Sequence, residues 1–360
     1  MSRATSATIH LGALRENFGR LKEMAGDARV MAVVKADGYG HGLERVARTL
    51  HEADAFGVAC IADGQRLRAA GMTQRIVVLS GIDEAADIAE MHRLGLESAV
   101  HHAVQIDWLA ADKNPRPLRV WLKIDTGMHR LGFAPGQAHA ARTRLLALPN
   151  VDPDIGLMTH FASSDEFDRP QTTAQIASFD ALVTGLPGER SLSNSAAVLG
   201  WPQARGQWVR PGGLLYGLSA VAGKNGSDFG FRPTMTLSSK LVAINRVSKG
   251  EAIGYAATWT CPEDMDVGVI QIGYGDGYPR SASNGTPVLI NGRPAPIIGR
   301  VSMDLTTVDL REHADAGVGD AVTLWGPDLP VEEVATHAGT IGYELVCGMT
   351  RRVRFLEDHD

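Results

Sequence analysis

Between residues 29 and 213, short β-branched runs alternate with helix-length amphipathic segments, and this alternation does most to narrow the folds open to the chain. Strands are predicted at 29–35, 55–60, 76–81, 96–102, 118–125, 155–161, 190–194 and 207–213, with helices at 42–53, 83–95, 135–148 and 172–186. Eight strands mostly separated by helices fit a closed α/β barrel of the (β/α)8 TIM type better than an open doubly wound sheet, which commonly has fewer strands. No G-x-G-x-x-G opens a helix after the first strand, which further disfavours a dinucleotide-binding sheet. Past residue 230 the hydrophobic period shortens to two and Gly, Pro and Asn break the runs, as in a mostly antiparallel β domain. The expected organisation is an N-terminal barrel over 1–230, joined through 220–233 to a mostly β C-terminal domain over 231–360, with a helix at 331–340 and a last strand near 351–356.

A chain of 360 residues has room for both domains. Its 35 Lys+Arg against 41 Asp+Glu give a net charge of -6, and without a long basic run no nucleic-acid partner is expected. The opening segment lacks the basic and apolar regions of a secretory signal. No stretch reaches the ~18 apolar residues of a spanning helix, so a cytoplasmic protein without a membrane partner is expected. Cys60, Cys261 and Cys347 are widely spaced and form no C-x-x-C pair, so neither a disulfide framework nor a metal site is expected.

In a barrel, working side chains sit at the carboxyl ends of strands, and the stretch VVKADGYGHG (33–42) puts Lys35 there. Partial desolvation lowers a lysine from its usual ~10.4 and makes it an amine nucleophile, which is what a Schiff base to pyridoxal phosphate requires. On the residue alone, a lysine snorkelling to water from a strand end is the commoner reading. Other strand ends carry Lys123 and Arg130 in WLKIDTGMHRLGF (121–133), and His160 in LMTHFASSDE. Asn194 and Ser195 lie in SLSNSAA (191–197), near where barrels cradle phosphate, although a serine there also suits a helix N-cap. Arg210, Gly212 and Gly213 follow in WVRPGGLLYG (208–217), whose paired glycines let backbone N–H groups approach an anion.

These stretches, with IGYAATWTCPEDMDVGVIQIGYGDGYPR (253–280) and GRVSMDLTTVD (299–309), resemble the alanine racemase family in order and spacing from about residue 30 to 350. The resemblance implies that Lys35 holds pyridoxal phosphate, with Tyr39, Asn194, Ser195, Arg210, Gly212 and Gly213 around it. It implies that Arg130 and the Met303 N–H hold the substrate carboxylate, that Lys123, often carbamylated in the family, orients Arg130, and that Asp304 and Tyr274 lie along the entrance. Tyr255 would be the second base, helped by His160 and Arg210 and reaching the pocket from the other subunit of a head-to-tail homodimer. An arginine does not give up its proton, so Arg210 at the cofactor ring leaves a weaker electron sink than Asp or Glu, which suits an enzyme that only moves a proton.

The implied function is two-base interconversion of L- and D-alanine through Lys35 and Tyr255, either supplying D-alanine for peptidoglycan or in alanine catabolism. A broad-specificity amino-acid racemase is the alternative. A non-catalytic cofactor-binding barrel is disfavoured by the second domain, and a barrel-type decarboxylase by Arg210 and Tyr255. Three positions depart from patterns seen in the family: Ser191 where some members carry a histidine, Ser302 where some carry a cysteine, and Arg351 where others carry a tyrosine. His41 has no role assigned.

Overall fold

The structure is a computed structural model and describes residues 4–360; residues 1–3, where the expected barrel domain begins, lie outside the described residues. The chain divides into two compact units. One comprises Asn17–Leu215 and Ala220–Gly223 and contains a closed barrel of eight parallel strands. These are Arg29–Val33, Ala55–Val58, Arg75–Val78, Glu97–Val100, Val120–Lys123, Gly156–Met158, Arg190–Ser191 and Trp208–Val209, each within an expected segment or starting one residue before it. Closure comes from the first and last strands, where Arg29 pairs with Trp208 and Val30 with Val209.

The barrel interior is a packed layer that mixes small and large side chains: Met31, Ala55, Val77, Ala99, Trp121, Met158 and Trp208. The two indoles meet edge to face at 6.2 Å. Gly156 makes room for them, because a Cβ there would lie 2.4 Å from the Trp121 ring. Helices absent from the sequence reading include Ile61–Ala69 and Ala103–Ala111, while the short Ser195–Gly200 lies where the sequence suits a helix N-cap.

The other unit holds an eight-stranded sheet organised on Met235–Val247, a 13-residue strand that pairs with Met265–Ile270, Ala321–Trp325 and Ser6–His10. Its pairs are antiparallel except that Ser6–His10 runs parallel to Arg354–Asp358. A single cut near residue 230 therefore differs from the observed division. Residues 4–16 belong with the sheet, because Ser6–His10 fills the gap between Met235–Val247 and the last strand. His10 fastens that position, with its ring nitrogens 2.9 Å from Asp358 Oδ2 and 2.8 Å from Thr236 Oγ1. Among the described residues no helix is long and apolar enough to cross a membrane, and no cluster of side chains could hold a metal ion.

Candidate active site

The first barrel strand stops at Val33, and Lys35 opens a short turn instead of ending the strand as the sequence suggested. From Ala36 to Gly40 every residue has positive φ, at 54, 55, 62, 52 and 76°. This is one turn of left-handed helix, and the Gly40 N–H donates to the Ala36 carbonyl at 3.0 Å. For residues with a Cβ such a conformation costs about 1–2 kcal/mol each, so tertiary contacts must hold it. The turn brings the Tyr39 hydroxyl against Gly212, where a Cβ would lie 2.3 Å from the phenolic oxygen.

Ser195 completes this corner. Its hydroxyl accepts from the Gly212 N–H at 2.9 Å and the Leu214 N–H at 3.4 Å. Asn194, not Ser195, caps the helix Ser195–Gly200: its side-chain oxygen accepts from the Ala197 N–H and from the Ser164 hydroxyl. The Asn194 oxygen is thus committed to the cap and leaves the serine hydroxyl for the cup. Gly213 opens the 3-10 turn Gly213–Tyr216 on the far side. Two hydroxyls and two backbone N–H groups converging where a side chain would not fit suit the phosphate of a cofactor.

The surroundings are cationic. Arg210 is buried and spends its guanidinium on the barrel wall, donating to the Ser191 carbonyl and hydroxyl at 2.6 and 2.7 Å, to the Thr159 carbonyl at 2.6 Å and to the Leu192 carbonyl at 3.3 Å. Burial pulls it down to about 10, which leaves it charged at neutral pH. Ser191, the departure noted in the sequence, is therefore a fixed acceptor for Arg210. Burial, then the charges of Arg210, Arg130 and Lys35, push the Lys123 amine down to about 8. Burial and the same four-cation field of Arg210, Lys123, Arg130 and Lys35 hold His160 well below the ordinary imidazole range, so it is neutral. Among the described residues no hydrogen bond joins His160 to Arg210, so the two are coupled through charge. Arg130 is exposed on the loop 125–133, braced where Asp125 Oδ1 accepts the N–H groups of Gly127, Met128 and His129.

The sheet unit gathers its own set. Gly273 and Gly275 let two loops lie in contact, with the Tyr274 N–H on the Ser302 carbonyl at 3.0 Å and the Gly275 N–H on the Met303 carbonyl at 2.9 Å. Arg352 ties the pair together through Asp304 and buried Asp276, a fastening that no sequence signal announced. Tyr274 and Met303 are exposed, and Tyr255, 64% exposed, stands on a turn where Ala256 and Ala257 have positive φ. Arg280 and Arg300 line a cavity of about 360 Å³ with Thr258, Ser283 and Asn284.

Comparison with known proteins shows which family the two units match. Residues 9–220 match the alanine racemase N-terminal domain family and residues 234–356 the alanine racemase C-terminal domain family. An alanine racemase of Shewanella baltica (strain OS185) is 50% identical over 347 residues, covering 96% of this chain and 97% of that protein. The crystal structure of the biosynthetic alanine racemase from Pseudomonas aeruginosa superposes with a TM-score of 0.97 at 43% identity, over 99% of this chain and 100% of that one. The alanine racemase of Acinetobacter baumannii gives a TM-score of 0.93 at 34% identity, again over 99% and 100%.

Proposed function

Because the chain belongs to the alanine racemase family, we propose that its barrel mouth binds pyridoxal phosphate on Lys35 and uses it to interconvert L- and D-alanine. The observation that carries this reading is the cup formed by the Tyr39 hydroxyl, the Ser195 hydroxyl and the Gly212 N–H inside a cationic mouth. The relatives reported above are named for alanine, so a broad-specificity racemase is not favoured.

When bound, pyridoxal phosphate supplies a conjugated electron sink that makes the Cα proton of an amino acid removable. The residues of the chain do the rest. Held by four barrel-wall acceptors through Nη1 and Nη2, Arg210 keeps only its Nε–H for a ligand and would offer that N–H to the ring of the cofactor as a donor that does not give up its proton. Arg130 offers a planar fork to the substrate carboxylate, aided by Lys123 and by the Met303 N–H, while Tyr274 and Asp304 border the entrance.

Lys35 carries the proton on one face of Cα and the Tyr255 oxygen carries it on the other. A phenol at its ordinary ~10 is a poor base, so the Tyr255 oxygen needs a hydrogen-bond donor and a positive field, which the N–H of neutral His160 and the charge of Arg210 would provide. Tyr255 is largely exposed within its own chain, which supports a head-to-tail homodimer in which each sheet unit completes the partner's barrel. The expected setting is the cytoplasm, with D-alanine supplied for peptidoglycan or alanine taken into catabolism.

Tyr255→Phe should keep the visible absorption of the bound cofactor and lose racemisation by about 10³-fold or more. Mixed dimers of Lys35→Ala with Tyr255→Phe should regain part of the activity, since one of their two sites is intact. Confirmed mixed dimers without activity would overturn the shared site. Cα deuterium exchange in D2O across several L-amino acids tests the substrate, with exchange confined largely to alanine expected.

A further inference from the structure

His41 is fully buried, yet nothing in the reaction so far uses it. Its Nδ1 lies 2.8 Å from the Tyr39 carbonyl. A carbonyl only accepts, so that ring nitrogen carries the proton and donates. Tyr39 has a φ of 52° and is the last non-glycine residue of the left-handed turn. The imidazole therefore grips the backbone at the last residue of the turn whose Cβ opposes the left-handed conformation.

Other contacts hold the rest of the turn. The His41 N–H donates to the Gly38 carbonyl at 3.0 Å, and Arg45 donates to the His41 carbonyl at 2.6 Å. Asp37 Oδ1 accepts from the Leu43 N–H at 3.2 Å and from Arg66 at 2.7 Å. Gly38 packs so closely that a Cβ would lie 2.9 Å from Val46 Cγ2. None of these touches the Tyr39 carbonyl, and the Tyr39 hydroxyl is the group that faces Gly212.

We propose that His41 is a positioning residue: by donating from Nδ1 to the Tyr39 carbonyl it holds the left-handed turn that fixes the Lys35 amine relative to the Tyr39 hydroxyl. The turn is the only covalent path between these two groups, so its geometry sets the span between the anchoring amine and the phosphate cup. The proposal rests on the pyridoxal phosphate reading of the site. Its consequence is that cofactor affinity depends on one hydrogen bond outside the cofactor's own contacts.

Two conservative variants separate this role from plain core packing. The side-chain amide of Asn places its nitrogen about where Nδ1 stands, whereas that of Gln reaches towards the Nε2 position. The full-length apoprotein of each is titrated with pyridoxal phosphate and, separately, with inorganic phosphate, and visible circular dichroism of the loaded protein is recorded. His41→Asn should stay within about 3-fold of the native affinities, while His41→Gln should weaken both by about 10-fold and change the dichroic band, as expected for loss of one positioning hydrogen bond. Equal affinities in the two variants, whether both native-like or both weakened, would overturn the proposal and leave His41 as packing. Lys35→Ala is run alongside: retention of the native visible band there would remove the cofactor reading itself, whereas its loss together with equal His41 variants would remove only the role of His41.

Discussion

At the amino-terminal ends of the barrel strands, Arg29, Arg75, Glu97 and Glu189 form a chain of ion pairs, whereas at the carboxyl ends Lys35, Lys123, Arg130 and Arg210 share one mouth. In the first group each cation has its carboxylate. Arg75 reaches Glu97 Oε2 and Glu189 Oε2 at 2.9 Å each, and Glu97 also accepts the Trp121 indole N–H at 2.8 Å. The guanidinium groups of Arg29 and Arg75 stack on the Trp208 ring at 4.3 and 4.8 Å. Burial works to raise Glu189, but the Arg75 and Arg29 partners win and lower it.

In the second group the charges of Arg210, Arg130 and Lys35 add to burial in depressing Lys123, and all four cations do the same to His160. One end of the barrel is thus balanced by its own residues, and the other has a surplus of positive charge that an anionic ligand would balance. A mouth of this kind is less stable empty than filled, and ligand binding adds to its stability.

The largest expected contrast between the ends is in activity. Lys35→Ala should lower racemisation by about 10⁴-fold or more and remove the visible absorption of the bound cofactor, because no other amine is proposed to anchor it. Its apoprotein should melt no lower than the native one, since a member of a repelling group has been removed. A clear drop in the apo melting temperature would show that Lys35 holds the fold as well. Glu97→Ala should do the reverse. It leaves the Arg75 guanidinium and the Trp121 N–H short of an acceptor, so stability should fall by about 3 kcal/mol in urea melts. The kcat and KM of the folded fraction should stay native, and a changed KM for alanine would break the separation of the two ends.

A smaller effect should appear in pH dependence. Between about 8 and 10.5 the unfolded chain keeps the Lys123 proton that the folded chain has released, so apoprotein stability should rise with pH across that window. His160 acts on the acid side: below 6.5 the unfolded imidazole binds a proton that the folded one refuses, and stability falls. The carboxylate end contributes only lower still, as Glu189 is protonated below its usual 4.5. Lys123→Met should remove the alkaline rise and stabilise the apoprotein at pH 7 by about 2 kcal/mol. An alkaline rise that survives in Lys123→Met would assign it to another group.

The two ends were not equally legible in the sequence. Lys35, Lys123, His160 and Arg210 each sit within or just beyond a predicted strand, so strand spacing alone brought them to one rim. The balanced end was missed because Arg29, Arg75, Glu97 and Glu189 each look like an ordinary solvated charge at a strand start; only closure of the barrel makes them neighbours. The left-handed turn was also out of reach. Ala36, Asp37 and Tyr39 have no local preference for positive φ strong enough to predict it, and Gly212, Val46 and His41 impose it from outside the turn. The strand Ser6–His10 was missed for a similar reason: its partners begin at Met235 and Arg354, and a five-residue run does not announce distant pairing.

The smallest expected effect tests whether burial or pairing governs the balanced end. Arg29 pairs with Glu189 and lies over Trp208, but its side chain is 44% exposed, against 7% for Glu97. Water already solvates much of the Arg29 guanidinium, and Glu189 keeps Arg75 when Arg29 is gone. Arg29→Met retains an apolar stem over the indole, so the substitution should cost only about 0.5 kcal/mol, the scale of an exposed ion pair. If Arg29→Met costs as much as Glu97→Ala, the four charges act as one cooperative network whose stability does not follow the burial of its members, and a double mutant would then show strong coupling instead of simple addition.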